Sequence, residues 1–376
     1  MTAPVWVCPG QVFDGERLLS GVAIGVFDGV IQSLTMLNQV SGPVQCLPGV
    51  VTPGYVDLQV NGGGDVLLNN DPSPQGMAVM AAALRRFGTD AILPTVITDA
   101  PEVLERAVQA AIAAKGQTGI LGLHIEGPHI SLARRGTHAA RFLRPMEAST
   151  QRHIERLRAA GVAVKITLAP EAVQPGQVRA LVETGAIVSI GHSDATADQV
   201  QALLDEGASC FTHLYNAMSP MQGRAPGVTG AAINSTAYCG FICDGHHVLD
   251  SMLGLAVRAR PVPDRMFLVS DCMSTVGGTD HFTLYGQEIH VDGGRLVNAE
   301  GSLAGAHVTM AEGVARLITT LGLPPEQALR MAITVPARLI GADNLAQIIG
   351  RHCDDLLILG ADWLPQGRLS DRLKAV

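Results

Sequence analysis

The sequence has no uninterrupted apolar segment of the roughly 20 residues that a bilayer-spanning helix needs, so no membrane association is expected. Its start, Met1-Thr2-Ala3-Pro4, lacks a basic stretch leading into an apolar run, and no secretory leader is expected from it. Positive charge is scarce too: 26 Lys and Arg against 34 Asp and Glu give a net charge of -8. Nucleic acid and acidic lipid both require a broad positive field, so neither is an expected partner. An anionic small molecule would have to be held by a few local basic groups. None of the seven cysteines form a Cys-x-x-Cys pair, and their number is odd. Reduced, mostly buried thiols in a cytoplasmic protein follow from that pattern. Internal repeats, low-complexity tracts and long charged runs are also missing.

What is present is apolar material, 47% of 376 residues, enough for a large core without disulfide support. The length exceeds one ordinary small domain and suits a barrel of roughly 250 residues with a smaller companion. Residues 5–50 read as short strands such as Val5-Trp6-Val7 and Val30-Ile31-Gln32-Ser33-Leu34, punctuated by Asp14-Gly15 and Asp28-Gly29. Aspartate-glycine between apolar runs signals hairpins, so a small antiparallel sheet is predicted there. From residue 50 the rhythm changes to strands alternating with amphipathic helices. Apolar runs at 50–58, 89–95, 120–125, 163–168, 186–190, 208–211, 237–242 and 266–269 supply eight strands. Between the first two, Ser73-Pro74 has helix-start chemistry and Met77, Met80, Leu84 and Phe87 keep a helical period. Eight such units predict a closed parallel barrel with right-handed crossovers. A hairpin-like insert at 282–297 and helices at 308–321 and 325–333 follow, and the apolar tail at 355–360 should rejoin the N-terminal sheet. The expected fold is α/β: a (β/α)8 TIM-like barrel over 51–335, with a small β-sandwich domain built from 1–50 and 336–376.

Barrel active sites lie at the C-terminal ends of the strands, so polar residues there carry the information. The third strand runs into Gly122-Leu123-His124-Ile125-Glu126-Gly127-Pro128-His129, ending on a carboxylate. A carboxylate at the tip of a buried strand is costly unless a cation or hydrogen-bond donors meet it. Asp57 and Gln59 end the first strand, His192 follows the fifth, His213 the sixth, and Asp271 the eighth. Glu126, His192 and His213 make three mixed oxygen and nitrogen ligands, leaving a coordination position open, as catalytic divalent sites do. A single histidine would more simply be a hydrogen-bonded core residue, but several strand ends supplying Glu, His, His and Asp to one mouth point to a metal. One divalent ion is expected, zinc first, with iron, cobalt or manganese also suited to these ligands. Asp271 suits a general base facing an activated water, the alternatives being a fourth ligand or a loop cap. His124 points to the same strand face as Glu126 and is a candidate ligand or, more simply, support for one. His138, in the loop after the third strand, could reach a substrate oxygen or be a surface residue.

These residues resemble a known family. His124-Ile125-Glu126-Gly127-Pro128, Gly136-Thr137-His138, Gly191-His192-Ser193, His213-Leu214-Tyr215-Asn216-Ala217-Met218 and Asp244-Gly245-His246-His247 occur in the order and spacing of the amidohydrolase superfamily, and within it of the N-acetylglucosamine-6-phosphate deacetylases. The resemblance runs nearly end to end. It implies metal binding by Glu126, His192 and His213, with Asp271 as acid and base. It further implies that His138 contacts the acetyl carbonyl, that Asn216, Ala217, Arg224 and His247 hold a sugar phosphate, and that Leu303, Ala304 and Gly305 line the acyl end. Arg224 also answers the need of an acidic chain for a local cation, since guanidinium binds phosphate bidentately. A homodimer, with phosphate contacts crossing the interface, is the implied assembly. One departure is informative: Asp57-Leu58-Gln59-Val60-Asn61-Gly62 stands where many superfamily members carry His-x-His for a second metal, so one metal is expected. The implied reaction is hydrolysis of the acetamide of N-acetylglucosamine 6-phosphate. Competing readings are the galactosamine epimer or a cyclic amide as substrate, a non-catalytic member of the superfamily, and a redox role for Cys239, Cys243 and Cys272.

Overall fold

Eight parallel strands follow one another in sequence order around the centre of the molecule, which is described by a computed structural model over residues 5–373. They are β1 (Tyr55–Val60), β2 (Thr89–Ile97), β3 (Gly122–Glu126), β4 (Ala163–Leu168), β5 (Ile187–Ile190), β6 (Cys210–Phe211), β7 (Tyr238–Phe241) and β8 (Met266–Leu268). Each lies within or overlaps one of the eight apolar runs, because a strand covered by helices outside and packed side chains inside has no polar face. The seam between β8 and β1 is closed just past the strands, where the Asp271 N–H donates to the Gln59 carbonyl at 3.0 Å and the Asn61 N–H to the Cys272 carbonyl at 2.9 Å. The result is a nearly closed TIM-like barrel.

Local chemistry sets the crossovers. The helix Pro74–Arg85 starts where Ser73 Oγ accepts the Gly76 N–H, with proline at the first helical position, where a missing N–H is harmless. The helix Met310–Thr319 opens with a reciprocal box: Thr309 accepts the Glu312 N–H while the Glu312 carboxylate accepts the Thr309 N–H. Between β8 and that helix stands a four-stranded insert, His281–Leu284, Gln287–Asp292, Arg295–Val297 and Leu303–Ala306, the last strand lying beyond the expected insert at 282–297.

Both chain ends do build a β unit, as one mixed sheet of seven strands. The antiparallel expectation fails at its centre, where Val5–Phe13 pairs in parallel with Val44–Pro53, Trp6 opposite Val44. A parallel pair needs a crossover, and the intervening hairpin Val22–Phe27 and Val30–Met36 lies on the far side of Val5–Phe13 instead of between the pair. Near the C-terminal end, Leu356–Leu359 pairs with the other edge of Val44–Pro53, Ile358 opposite Val51, and Pro365–Arg368 pairs with it in turn. Val7, Val12, Ile24, Ile31, Val51 and Leu356 form this sheet's own buried cluster. Among the described residues no helix is long and apolar enough to cross a membrane.

Candidate metal centre and active site

Glu126 is the last residue of β3, and His192, His213 and Asp271 stand two to three residues beyond β5, β6 and β8. His192, His213 and Asp271 have positive φ (48°, 31° and 53°), a backbone region that non-glycine residues rarely enter. Such conformations concentrate at functional sites, where the surrounding fold maintains them. Glu126 Oε1 lies 3.3 Å from His192 Nε2 and 3.1 Å from His213 Nε2, and the two Nε2 atoms are 3.0 Å apart. These three groups offer ligand atoms within 4.8 Å of one another, all on buried residues. His192 Nδ1 is 2.9 Å from the Arg134 carbonyl oxygen, which can only accept. A ring hydrogen therefore sits on Nδ1, and Nε2 is the nitrogen turned to the cluster, the one a metal ligand would use. One carboxylate oxygen and two imidazole nitrogens converging in this way fit a divalent cation.

Electrostatics at the mouth are unusual. Burial alone would push the Glu126 carboxyl up, but the His192 and His213 rings hold it well below the ordinary carboxylate range. Burial also opposes charge on His213, yet the Glu126 carboxylate outweighs it and raises that imidazole. Asp271 moves up, through burial first and then the negative charge of Glu126, which makes it readier to hold a proton.

Two amides keep these carboxylates apart. Gln59 Nε2 donates to Glu126 Oε1 at 3.0 Å and to Asp271 Oδ1 at 3.1 Å, while Asn61 Nδ2 donates to Asp271 Oδ1 at 2.8 Å. Carboxylates cannot donate when ionised, so both amides must turn their NH₂ groups toward them. Their oxygens, Gln59 Oε1 and Asn61 Oδ1, are left buried without a protein partner. His124 does not join the cluster. Its Nδ1 is 3.1 Å from Thr95 Oγ1 and its Nε2 2.7 Å from Thr167 Oγ1, and the chain continues through Thr212 to Ser189 beneath the mouth. It supports the site from below and is no ligand.

A cavity of about 500 Å³ opens over the cluster, and Glu126, His192, His213, Asp271, His138, Asn216, Ala217, His247, Leu303 and Gly305 all line it. His247 Nδ1 is held by Asp244 at 2.6 Å. The same contact takes Asp244, which burial alone would raise, down to a pKa of about 2. His138 is buried, and burial followed by the neighbouring His192 keeps its ring well below the usual imidazole pKa, so it is neutral.

Two expected residues are elsewhere. Ala304 is fully buried in an apolar cluster with Met273 and Leu296, because alternation along Leu303–Ala306 sends Leu303 and Gly305 to the cavity and Ala304 away from it. Arg224 is exposed on the loop after β6 and lines a separate depression with Asp194 and Asp198. Within one chain no guanidinium from that loop reaches the cavity. Arg134 and Arg135, overlooked in the sequence, line it instead, paired with Asp194 at 2.7 Å and Glu300 at 2.5 Å. Their position directly before Gly136-Thr137-His138 was the available signal. Asn61 was overlooked too, although it sits two residues from Gln59 and so shares a strand face with it. Cys239, Cys243 and Cys272 are buried, and burial pushes the first two thiols up to about 12, which suits inert packing.

Comparison with known proteins places this site in context. Residues 50–348 match the model of the Amidohydrolase family. The chain belongs to that family. It is 39% identical over 355 residues to an N-acetylgalactosamine-6-phosphate deacetylase of Shewanella sp. (strain ANA-3), covering 92% of this chain and 89% of the relative. It is 33% identical over 300 residues to an N-acetylglucosamine-6-phosphate deacetylase of Haemophilus influenzae, covering 78% of each. The crystal structure of N-acetylglucosamine-6-phosphate deacetylase from Pasteurella multocida superposes with a TM-score of 0.89 at 32% identity, covering 97% of both chains. Its relatives are thus deacetylases of amino-sugar phosphates that differ in the epimer they act on.

Proposed function

We propose that this protein hydrolyses the acetamide of an N-acetylhexosamine 6-phosphate, releasing acetate and the free amino-sugar phosphate. The observation that carries the reading is the convergence of Glu126, His192 and His213 beside Asp271 at the floor of one cavity. N-acetylglucosamine 6-phosphate is the first substrate to test. The relative at 39% identity favours the galactosamine epimer as the second.

Glu126, His192 and His213 would hold a divalent ion, zinc first among the candidates, which when bound lowers the pKa of water and polarises a carbonyl. Asp271 accepts the water proton as the oxygen adds to the acyl carbon. The same proton passes from Asp271 to the nitrogen as the C–N bond breaks, since an amine leaves only when protonated. A carboxyl raised by burial and by Glu126 suits both halves of that transfer. His138 donates to the oxygen on which negative charge develops. Asn216, the Ala217 backbone and His247 hold the sugar phosphate, fixing the acetamide over Asp271 through contacts remote from the reacting bond. Arg224 serves a phosphate only if a second copy of the chain presents it, which makes a homodimer the working assembly.

Metal content of purified protein, measured beside acetate release from both epimers with and without the 6-phosphate, tests the reading. About one divalent ion per chain and phosphate-dependent release are expected. A metal-replete protein that releases no acetate from either epimer would overturn it.

A further inference from the structure

Resting on the deacetylase reading above, we infer that Thr98 is a positioning residue whose hydroxyl decides which nitrogen of His138 carries the hydrogen aimed at the acetyl carbonyl. Thr98 follows β2 directly and is 1% exposed. Its Oγ1 lies 2.7 Å from His138 Nδ1. Among the described residues, the other acceptor near that hydroxyl is the Glu126 carbonyl oxygen at 3.5 Å, the outer limit of a hydrogen bond. A buried hydroxyl keeps its one hydrogen bonded, and since 3.5 Å lies beyond the usual O–H···O range, that hydrogen goes to His138 Nδ1 at 2.7 Å. Nδ1 of His138 is then the acceptor. A neutral imidazole has a single N–H, which must lie on Nε2, the nitrogen left for the cavity. Nε2–H is the form that can stabilise charge developing on a carbonyl oxygen. The opposite tautomer would set a ring lone pair against that oxygen.

Several contacts keep Thr98 in this position. Gly127, directly after Glu126, has φ +77°, and a Cβ there would sit 2.2 Å from Thr98 Oγ1. Glycine at 127 is what allows the hydroxyl to approach. The Thr98 carbonyl oxygen accepts from the Tyr285 hydroxyl on the insert after β8. The Tyr285 ring in turn lies 6.3 Å from that of Phe142, on the loop that carries His138. Thr98 therefore joins the Glu126 backbone, the His138 loop and the insert.

The test compares Thr98→Val, which keeps the shape and removes the hydroxyl, with Thr98→Ser, which keeps the hydroxyl. Loss of one oxyanion donor lowers kcat by about 10²–10³-fold, so Thr98→Val should lose on the order of 10²-fold in kcat with KM changed less than about threefold. Thr98→Ser should recover to within about fivefold of the unsubstituted protein. An N-trifluoroacetyl substrate, whose carbonyl needs less polarisation, should show a smaller Thr98→Val defect than the N-acetyl substrate. Equal defects on the two substrates, or no rescue by serine, would reduce Thr98 to a packing residue. Should Thr98→Val fail to fold, ¹⁵N shifts of labelled histidine in the unsubstituted holoprotein, assigned by loss of the signal in His138→Asn, read the tautomer directly. Hydrogen on Nε2 is expected, and hydrogen on Nδ1 would overturn the inference. That spectrum does not depend on turnover, so its outcome is separable from failure of the deacetylase reading, which the acetate assay detects.

Discussion

The terminal sheet and the barrel mouth are equally buried, but aliphatic side chains fill the first and ionisable ones the second. Val7, Val12, Ile24, Ile31 and Val51 of the sheet are fully enclosed, and so is His124 beneath the mouth, with Glu126 only 2% exposed. Burying a valine or isoleucine stabilises the chain by about 1.5–3 kcal/mol. Burying a carboxylate is unfavourable unless hydrogen bonds or a cation compensate it. At the mouth that compensation is visible atom by atom: two imidazoles on Glu126, two amides on Asp271, and Gln59 bridging both. The sheet contributes cohesion without chemistry. The mouth is a concentrated polar cluster that the rest of the fold must hold together.

Breaking the mouth should have the largest effect. Asp271→Asn keeps the shape and most hydrogen bonds but cannot take a proton, so kcat should fall by about 10²–10⁴-fold while the metal remains bound. Acetate release beside metal analysis reads both numbers, and an undiminished rate would remove Asp271 from proton transfer. Breaking the sheet should act on a different axis. Ile24→Ala leaves a cavity in a fully buried cluster and should cost about 2–5 kcal/mol in denaturant unfolding, with kcat per folded molecule unchanged. If activity fell in step with stability, the two regions would not be separable as described. Gln59→Leu lies between these extremes. It removes the donor shared by Glu126 and Asp271 and should cost roughly 1–3 kcal/mol of stability, together with a measurable loss of metal affinity.

The same contrast explains what could be read from the sequence. Apolar runs alternating with helical periods announced all eight barrel strands, because burial on both faces leaves a continuous signature. Glu126, His192, His213 and Asp271 were legible as well, since a polar residue ending an apolar run stands out. Three things were not. The parallel pairing of Val5–Phe13 with Val44–Pro53 depends on which edges meet in space, and turn chemistry alone suggests hairpins. The partners of Thr98 and Gln59 are not legible, because a hydroxyl or an amide near a strand end shows no partner until the other strands are placed. Which copy of the chain Arg224 would serve is the third, because neither a resemblance nor a charge says on which side of a loop a cation lies.

The smallest expected effect concerns Asp57, a carboxyl in the seam between β1 and β8. It accepts from the Gln59 N–H at 3.1 Å, from the Ser270 N–H at 3.2 Å and from the Ser270 hydroxyl, yet burial still pushes its pKa up to about 7. In the unfolded chain the same group ionises near 3.8. Between those values the folded protein holds a proton that the unfolded chain has released. Its contribution to stability is therefore complete below about pH 4 and is lost as pH rises through about 7. Asp57→Asn removes this dependence. The Tm of the unsubstituted protein should fall relative to that of the variant between pH 5 and 8, by a few degrees for a chain of this length. The sheet variant Ile24→Ala, which leaves Asp57 and its Gln59 and Ser270 partners in place, should keep the unsubstituted protein's pH profile at a lower Tm. A Tm gap between the unsubstituted protein and Asp57→Asn that stays constant across that range would mean that Asp57 is already ionised in the folded state. The N–H and hydroxyl donors of the seam would then suffice to keep a charge buried there.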